Sequence, residues 1–213
     1  MLAITKILYN QDVFFILLAI SFFLVSLIKG FYWKHAKLLF MGSFSQRFAN
    51  QYLREENTFT ERVNLITFLL LLINLTLTIV NFKEIIDLGS ILLVFQLVLL
   101  FYLLKIIIIK FLGFLFKVKD LSNLAVFFSL LFDKTFGFLL FPLLIASYFF
   151  VFNISFYLFV LTLCLGTVFF CLKLFCFWKI GNNAFGFSPF YIFLYLCFLE
   201  IFPVLLLAKR IIY

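Results

Sequence analysis

Phe190-Tyr-Ile-Phe-Leu-Tyr-Leu-Cys-Phe-Leu-Glu200-Ile-Phe-Pro203-Val-Leu-Leu-Leu207 is apolar throughout except for one carboxylate, with a proline three residues beyond it. A helix opening at Pro189 carries Glu200 eleven residues in, about 16 Å along its axis. The hydrocarbon layer is about 30 Å thick, so the carboxylate falls near mid-depth. An ionised carboxylate there costs on the order of 3 kcal/mol on insertion scales. It has to face protein, pair with a cation or take up a proton. Pro203 lacks an N–H, which leaves the carbonyl of Leu199 without its usual donor and bends the helix. Glu200 and Pro203 thus define an intramembrane polar site. Two readings stand: a buried helix–helix or subunit contact, or a proton- or cation-binding group.

The rest of the chain sets that run in context. Hydrophobic residues make up 67% of the 213 positions, and the mean hydropathy is +1.26. Soluble domains hold about 45–50% apolar residues, so a water-soluble fold is excluded. The expected class is all-α, a single integral membrane domain over residues 1–213 with about six transmembrane spans and an amphipathic interfacial helix. Cys164, Cys171, Cys176 and Cys197 lie in apolar runs without CxxC spacing, and His35 is the only histidine. No metal or disulfide is implied, and the cysteines read as small apolar groups packed between helices. The net charge of +8 suits cytoplasmic loops and anionic headgroups, with no call for nucleic acid.

In chain order, the spans are expected at about 13–28, 62–80, 91–110, 136–152, 156–177 and 189–208. The first lacks a small-residue cleavage site and runs into Lys29 and Phe31-Tyr-Trp33, an interfacial belt, so it reads as a retained span. Residues 29–61 form the one sizeable polar loop. Within it Phe44, Phe48 and Tyr52 recur at i, i+4 and i+8, with Arg47 between them and Arg54 just after, which predicts an amphipathic helix. That helix either rests on the headgroups or offers a docking face to a partner.

Thr58-Phe-Thr-Glu61 has capping-box spacing and opens the second span. Asn64, Thr67, Asn74, Thr76 and Thr78 on it are expected to bond between helices. Ile91–Val118 is longer than the bilayer core and must tilt, kink or project. Lys105 near its end either snorkels to the interface or pairs with Glu200. Asn123–Lys134 reads as a cytoplasmic interfacial stretch, interrupted at Asp133-Lys134 before the fourth span, which holds Pro142. Lys173 and Lys179 mark the exit of the fifth span, and Ser188-Pro189 opens the sixth.

Loop charge orients these spans. With the N-terminus outside, the inner side holds Lys29, Lys34, Lys37, Arg47, Arg54, Arg62, Lys105, Lys110, Lys117, Lys119, Lys134, Lys173 and Lys179. The outer side holds Lys6, Lys83, Lys209 and Arg210. Thirteen against four satisfies the positive-inside rule, and Lys209-Arg210 is the one placement that strains it.

Enzyme chemistry has little material: there is no Ser/His/Asp set, no paired membrane acid, no HExxH and no phosphate-binding glycine loop. No cofactor is implied. The favoured function is a non-catalytic membrane subunit, a scaffold or accessory component, partnered by the bilayer and by other membrane subunits or further copies of itself. The alternative is a small transporter or proton-coupled component using Glu200, for which the proline-interrupted helices are suggestive.

Asn10-Gln-Asp12, Tyr52-Leu-Arg-Glu-Glu56, Arg62-Val-Asn64 and Tyr195-Leu-Cys-Phe-Leu-Glu-Ile-Phe-Pro203 are similar to a Bacteroidota family of polytopic integral membrane proteins catalogued only as a domain of unknown function. The most specific part is Leu-Cys-x-Leu-Glu-Ile-x-Pro at 196–203, and the likeness extends over nearly the whole chain. It implies a bacterial inner-membrane location. It carries no assigned activity and so no catalytic residue.

Overall fold

The computed structural model describes residues 2–55, 58–83, 87–115, 119–149 and 154–185. All of these belong to helices or their short connections: α1 (Leu2–Phe31), α2 (Trp33–Gly42), α3 (Gln46–Arg54), α4 (Thr58–Lys83), α5 (Leu88–Leu115), α6 (Lys119–Phe149) and α7 (Ile154–Phe185). Four helices are long and apolar enough to cross a membrane, over Val13–Phe31, Thr58–Phe82, Leu88–Phe111 and Ser122–Phe149. A fifth apolar stretch, Val160–Cys176, is shorter. The expected last span, 189–208, lies outside the described residues.

Helix α6 is the centre of the bundle, packed against α4, α5 and α7, and α4 in turn packs against α1 and α5. The α4–α6 contact is close because Gly137 has no side chain. A Cβ there would stand 2.8 Å from Leu71 Cα and Cδ1. Successive helices run in opposite directions, and two apolar layers record it. At one end Ile28 (α1), Val63 (α4), Ile109 (α5) and Phe128 with Leu131 (α6) meet Ala36 and Leu39 of α2 and Ala49 and Tyr52 of α3. Towards the other end Leu18, Leu77, Leu140 and Leu144 pack together. Between α4 and α5, Leu71, Leu72, Val98 and Tyr102 form a third cluster.

The polar loop is therefore a folded helical hairpin seated on the bundle end. Its two helices cross tightly: a Cβ on Gly42 would lie 3.2 Å from Ala49 Cα. Ser43 turns the chain by donating its hydroxyl to the carbonyl of Phe40 at 2.7 Å. Tyr52 donates to the Thr60 carbonyl at 3.1 Å, tying α3 to the first turn of α4. Burial pushes the Tyr52 phenol well above its ordinary pKa, since the phenolate would lose its hydration there.

Several expectations are corrected. Asn123–Lys134 is not a separate interfacial stretch: α6 runs without a break from Lys119 to Phe149, through Asp133, Lys134 and Pro142. A charged pair interrupts a helix only if its charges must leave for water, and here both are bound inside the bundle. Helix α4 starts at Thr58, a turn before the expected opening at Arg62. Thr67, Thr76 and Thr78 do not bridge helices but donate to their own helix, to Val63, Leu72 and Asn74 carbonyls at 2.6, 2.8 and 2.7 Å, the usual back-bond of a helical threonine. Cys164 and Cys171 are exposed on α7, not packed between helices, and Cys197 lies outside the described residues.

Candidate functional site

The polar groups of the spans gather around one dipeptide. Asp133 is the twelfth residue of the candidate span Ser122–Phe149, about 16 Å from its start. Its carboxylate takes an ammonium on each oxygen. Lys173 of α7 donates to Oδ1 at 2.8 Å, and Lys105 of α5 donates to Oδ2 at 3.2 Å. Both lysines are buried, at 3% and 6% exposure, whereas the aspartate side chain keeps 18%. Successive residues on a helix point about 100° apart, so the next side chain leaves α6 on another face. Lys134 turns towards α4 and donates to Asn64 Oδ1 at 3.0 Å. One dipeptide thus fastens α6 to α4, α5 and α7.

A second polar clamp lies one helical turn further along α6. Asn74 of α4 donates from Nδ2 to the Gly137 carbonyl at 2.8 Å and accepts from Ser21 of α1 at Oδ1, also at 2.8 Å. Ser21 and Asn74 have no solvent exposure. The clamp needs Gly137 twice over: the missing Cβ admits α4, and the proximity brings the carbonyl within reach of the amide. Together the two clusters tie α1, α4, α5 and α7 to α6.

Lys105 was expected to reach the interface or to meet Glu200. Its ammonium is buried and donates to Asp133 on the adjacent helix α6 at 3.2 Å, so it does not snorkel to the interface, and the expected pairing with Glu200 falls outside the described residues. Glu200 and Pro203 lie outside the described residues. Asp133 as a hub was not foreseen, nor was Lys173 as its partner. The available signal was the absence of a strong helix breaker from Lys119 to Phe141, which makes Asp133-Lys134 an interior pair and not a terminus.

The expected docking face divides. Phe44 precedes α3 and is 70% exposed, with its ring 6.1 Å from that of Phe169. Phe48 is half-buried and Tyr52 is buried, while Arg47 and Arg54 are exposed. What α3 offers outward is the two arginines with Phe44 beside them. On α2, Lys34 and Lys37 are exposed as well.

Chemically, the central cluster can hold helices and hold charge. Among the described residues no three His, Cys, Asp or Glu side chains come together as a metal would require. His35 is the one described imidazole, and it sits in the hairpin, stacked on Phe59 with ring centroids 5.9 Å apart and Nδ1 3.6 Å from Glu55.

Compared with known proteins, residues 14–211 match the family model described as Domain of unknown function (DUF4271). No curated protein matches, and no solved structure matches.

Proposed function

The chain belongs to the DUF4271 family, a domain of unknown function, and we propose that it works as a non-catalytic integral membrane component, a scaffold or accessory subunit of a membrane complex. The observation that carries this is the internal pairing of polar groups within the spans: Lys105 and Lys173 on Asp133, Lys134 on Asn64, Ser21 and Gly137 on Asn74. Polar groups committed to joining helices favour a rigid bundle over a lined solute path. The outward surface is apolar. Phe15, Ile16, Phe22 and Phe23 on α1 and Leu92, Leu93, Leu100 and Ile107 on α5 are all strongly exposed, a surface suited to lipid and to neighbouring membrane subunits or further copies of this chain.

The soluble end supplies the docking element, with Arg47, Arg54 and Phe44 outward and Tyr52 anchoring the hairpin from within. On this reading the protein belongs to a bacterial inner membrane with a periplasmic N-terminus and a cytoplasmic hairpin, an orientation that the basic bias of this end supports. Affinity capture of the full chain from native membranes tests the reading. A stoichiometric partner retained by wild type and lost by R47E/R54E supports it. A chain that elutes alone, identically for both, refutes it.

A second reading has one observation in its favour: Asp133 retains some exposure between two ammonium groups, an arrangement that proton-coupled membrane proteins use. Under it, Asp133 and Glu200 exchange protons. Purified chain in liposomes loaded with a pH-sensitive dye separates the two, since proton flux abolished by D133N belongs to the coupled reading alone.

A further inference from the structure

We propose that the α2–α3 hairpin is re-entrant, with its tip at mid-depth of the bilayer beside α6 and α7, and that the polar face of α3 carried in with it binds a carboxylate-bearing helix of a partner membrane subunit. This rests on the subunit reading above and names the partner's chemistry.

Ring contacts give the depth. At the open end of the hairpin Tyr52 stacks on Phe127 of α6 with centroids 5.9 Å apart, and His35 stacks on Phe59 in the first turn of α4. At the turn, Phe40 meets Phe138 of α6 at 4.4 Å, and Phe44 meets Phe169 of α7 at 6.1 Å. Phe127 and Phe138 are eleven residues apart on one helix, about 16 Å. From its seat at the bundle end the hairpin therefore runs down the flank of α6. Its tip is level with the middle of three apolar runs. Gly137, beside Phe138, lies fifteen residues from Ser122 and twelve from Phe149, the limits of the α6 span. It faces Leu71, which lies thirteen residues from Thr58 and eleven from Phe82 in the α4 span. Phe169 lies nine residues after Val160 and seven before Cys176 in the apolar stretch of α7. Three helices agree, and the tip falls near the midplane of a hydrocarbon layer about 30 Å thick.

The two sides of the hairpin then meet different surroundings. Met41 and Phe44 at the tip are exposed and apolar, which suits acyl chains. On α3, Gln46, Arg47, Asn50 and Arg54 share one exposed face, opposite the buried Ala49 and Tyr52. Gln46 and Arg47 are the members nearest the tip. Amide and guanidinium groups at that depth are costly against lipid and pair with other polar groups. Among the described residues no carboxylate pairs with Arg47. Acyl chains offer it no acceptor, and a second copy of the same face would set arginine against arginine. A helix with an Asp or Glu at matching depth supplies the anion for Arg47 and an acceptor for the Gln46 amide, in the short charge-assisted geometry that guanidinium favours. The docking face thus extends from Arg54 at the bundle end down to Arg47 within the membrane.

Depth is tested first. With the four native cysteines replaced, a nitroxide on M41C in the full-length protein in liposomes should be relaxed more by oxygen than by a water-soluble nickel chelate. The reverse order overturns the re-entrant placement.

A photo-cross-linking amino acid in place of Gln46 tests the occupant in intact cells. The linked peptide, identified by mass spectrometry, should come from a different protein and lie in an apolar segment of spanning length that contains Asp or Glu. R47E should lower the yield about tenfold, while R47K, which keeps the charge, should retain most of it. Changing the partner's carboxylate to Lys should restore the yield in R47E. Links only to a soluble protein, to a second copy or to lipid, or no link at all, overturn the proposal. The M41C nitroxide measured in R47E shows whether the hairpin is still in place, and R47Q takes over where R47E displaces it. A soluble partner found by affinity capture leaves the subunit reading standing while this inference fails, whereas a chain that elutes alone removes both.

Discussion

Lys173 Nζ stands 2.8 Å from Asp133 Oδ1, joining the last described helix to the centre of the bundle by a buried ion pair. Lys105 holds the other oxygen at 3.2 Å. Removing one member of such a set leaves uncompensated charge, which is worse than never having built it. D133N should therefore cost about 3–5 kcal/mol of unfolding free energy in a detergent denaturation series. D133N/K173M removes the surplus cation as well and should be more stable than D133N alone. Equal or lower stability of the double variant would show that the ammonium groups do not depend on the carboxylate.

At Gly137 α4 and α6 approach closely, and the neighbours of an added Cβ include the Leu71 Cα, which cannot swing away as a side chain could. G137A should cost about 1–3 kcal/mol, the range for overpacking a filled site, and it should loosen the Asn74 amide from the Gly137 carbonyl. Gly30 is the internal control. A Cβ there meets nothing within 4 Å, and it lies near the end of α1. G30A should be neutral or stabilise by up to about 1 kcal/mol through helix propensity. Thermal melting of the two variants side by side gives the comparison, and a similar loss in both would refute the close-packing account.

The Asn74 clamp gives a smaller effect. Interhelical hydrogen bonds in membrane proteins average about 0.6 kcal/mol, because the alternative states also find partners. S21A should cost about that much. N74L should cost more, since it removes both interhelical bonds at once, the one to the Ser21 hydroxyl and the one to the Gly137 carbonyl. A ranking with S21A worse than N74L in the same melting assay would contradict the geometry.

Helicity could be read from the sequence because it depends on local composition, but of the six expected spans four membrane-length helices stand among the described residues, the fourth running from Ser122 and not from 136. The spacing of Thr58 to Glu61 announced α4 in the same way, although the helix opens at Thr58, a turn before the expected Arg62. The period of Phe44, Phe48 and Tyr52 located α3, yet it misassigned the ends of the stripe: Phe44 falls before the helix begins and Tyr52 points into the core, against Thr60. The ion cluster was not legible, for a physical reason. A lysine stem is long enough either to reach water or to fold inward, and which occurs at Lys105 and Lys173 is decided by Asp133 on a third helix. Residue type does not contain that choice. Asp133-Lys134 looked like a terminus because charges usually end apolar runs, and only the neighbours that bind them permit the helix to continue.

Tyr52 predicts an alkaline limit. Its phenol pKa is raised by burial from an ordinary value of 10.0. The unfolded chain releases that proton above about pH 10, while the folded chain keeps it. The unfolded state then binds fewer protons, so stability falls as pH rises past that point and is fully present below it. Y52F removes this slope. It should also lose about 1 kcal/mol at neutral pH for the bond to the Thr60 carbonyl. Melting midpoints measured from pH 8 upward should fall more steeply for wild type than for Y52F, and parallel profiles would show that the phenol is not held neutral in the fold.

The antiparallel arrangement of α4 gives the last test. Asn50 is exposed on α3, beside the start of α4, and Asp87 is exposed just after its end. Helix α4 has 26 residues, about 39 Å at 1.5 Å each, so the two positions belong on opposite sides of the bilayer. With the four native cysteines replaced, N50C should react with an impermeant maleimide only after the membrane is opened to the cytoplasmic side, and D87C should react in intact cells with a permeable outer membrane. Reversed reactivity would invert the orientation inferred from Lys29, Lys34, Lys37, Arg47, Arg54 and Arg62 while leaving α4 as a span. Labelling of both from one side would remove α4 from the membrane-crossing set and, with it, the reason for burying Asn64 and Asn74 against α6.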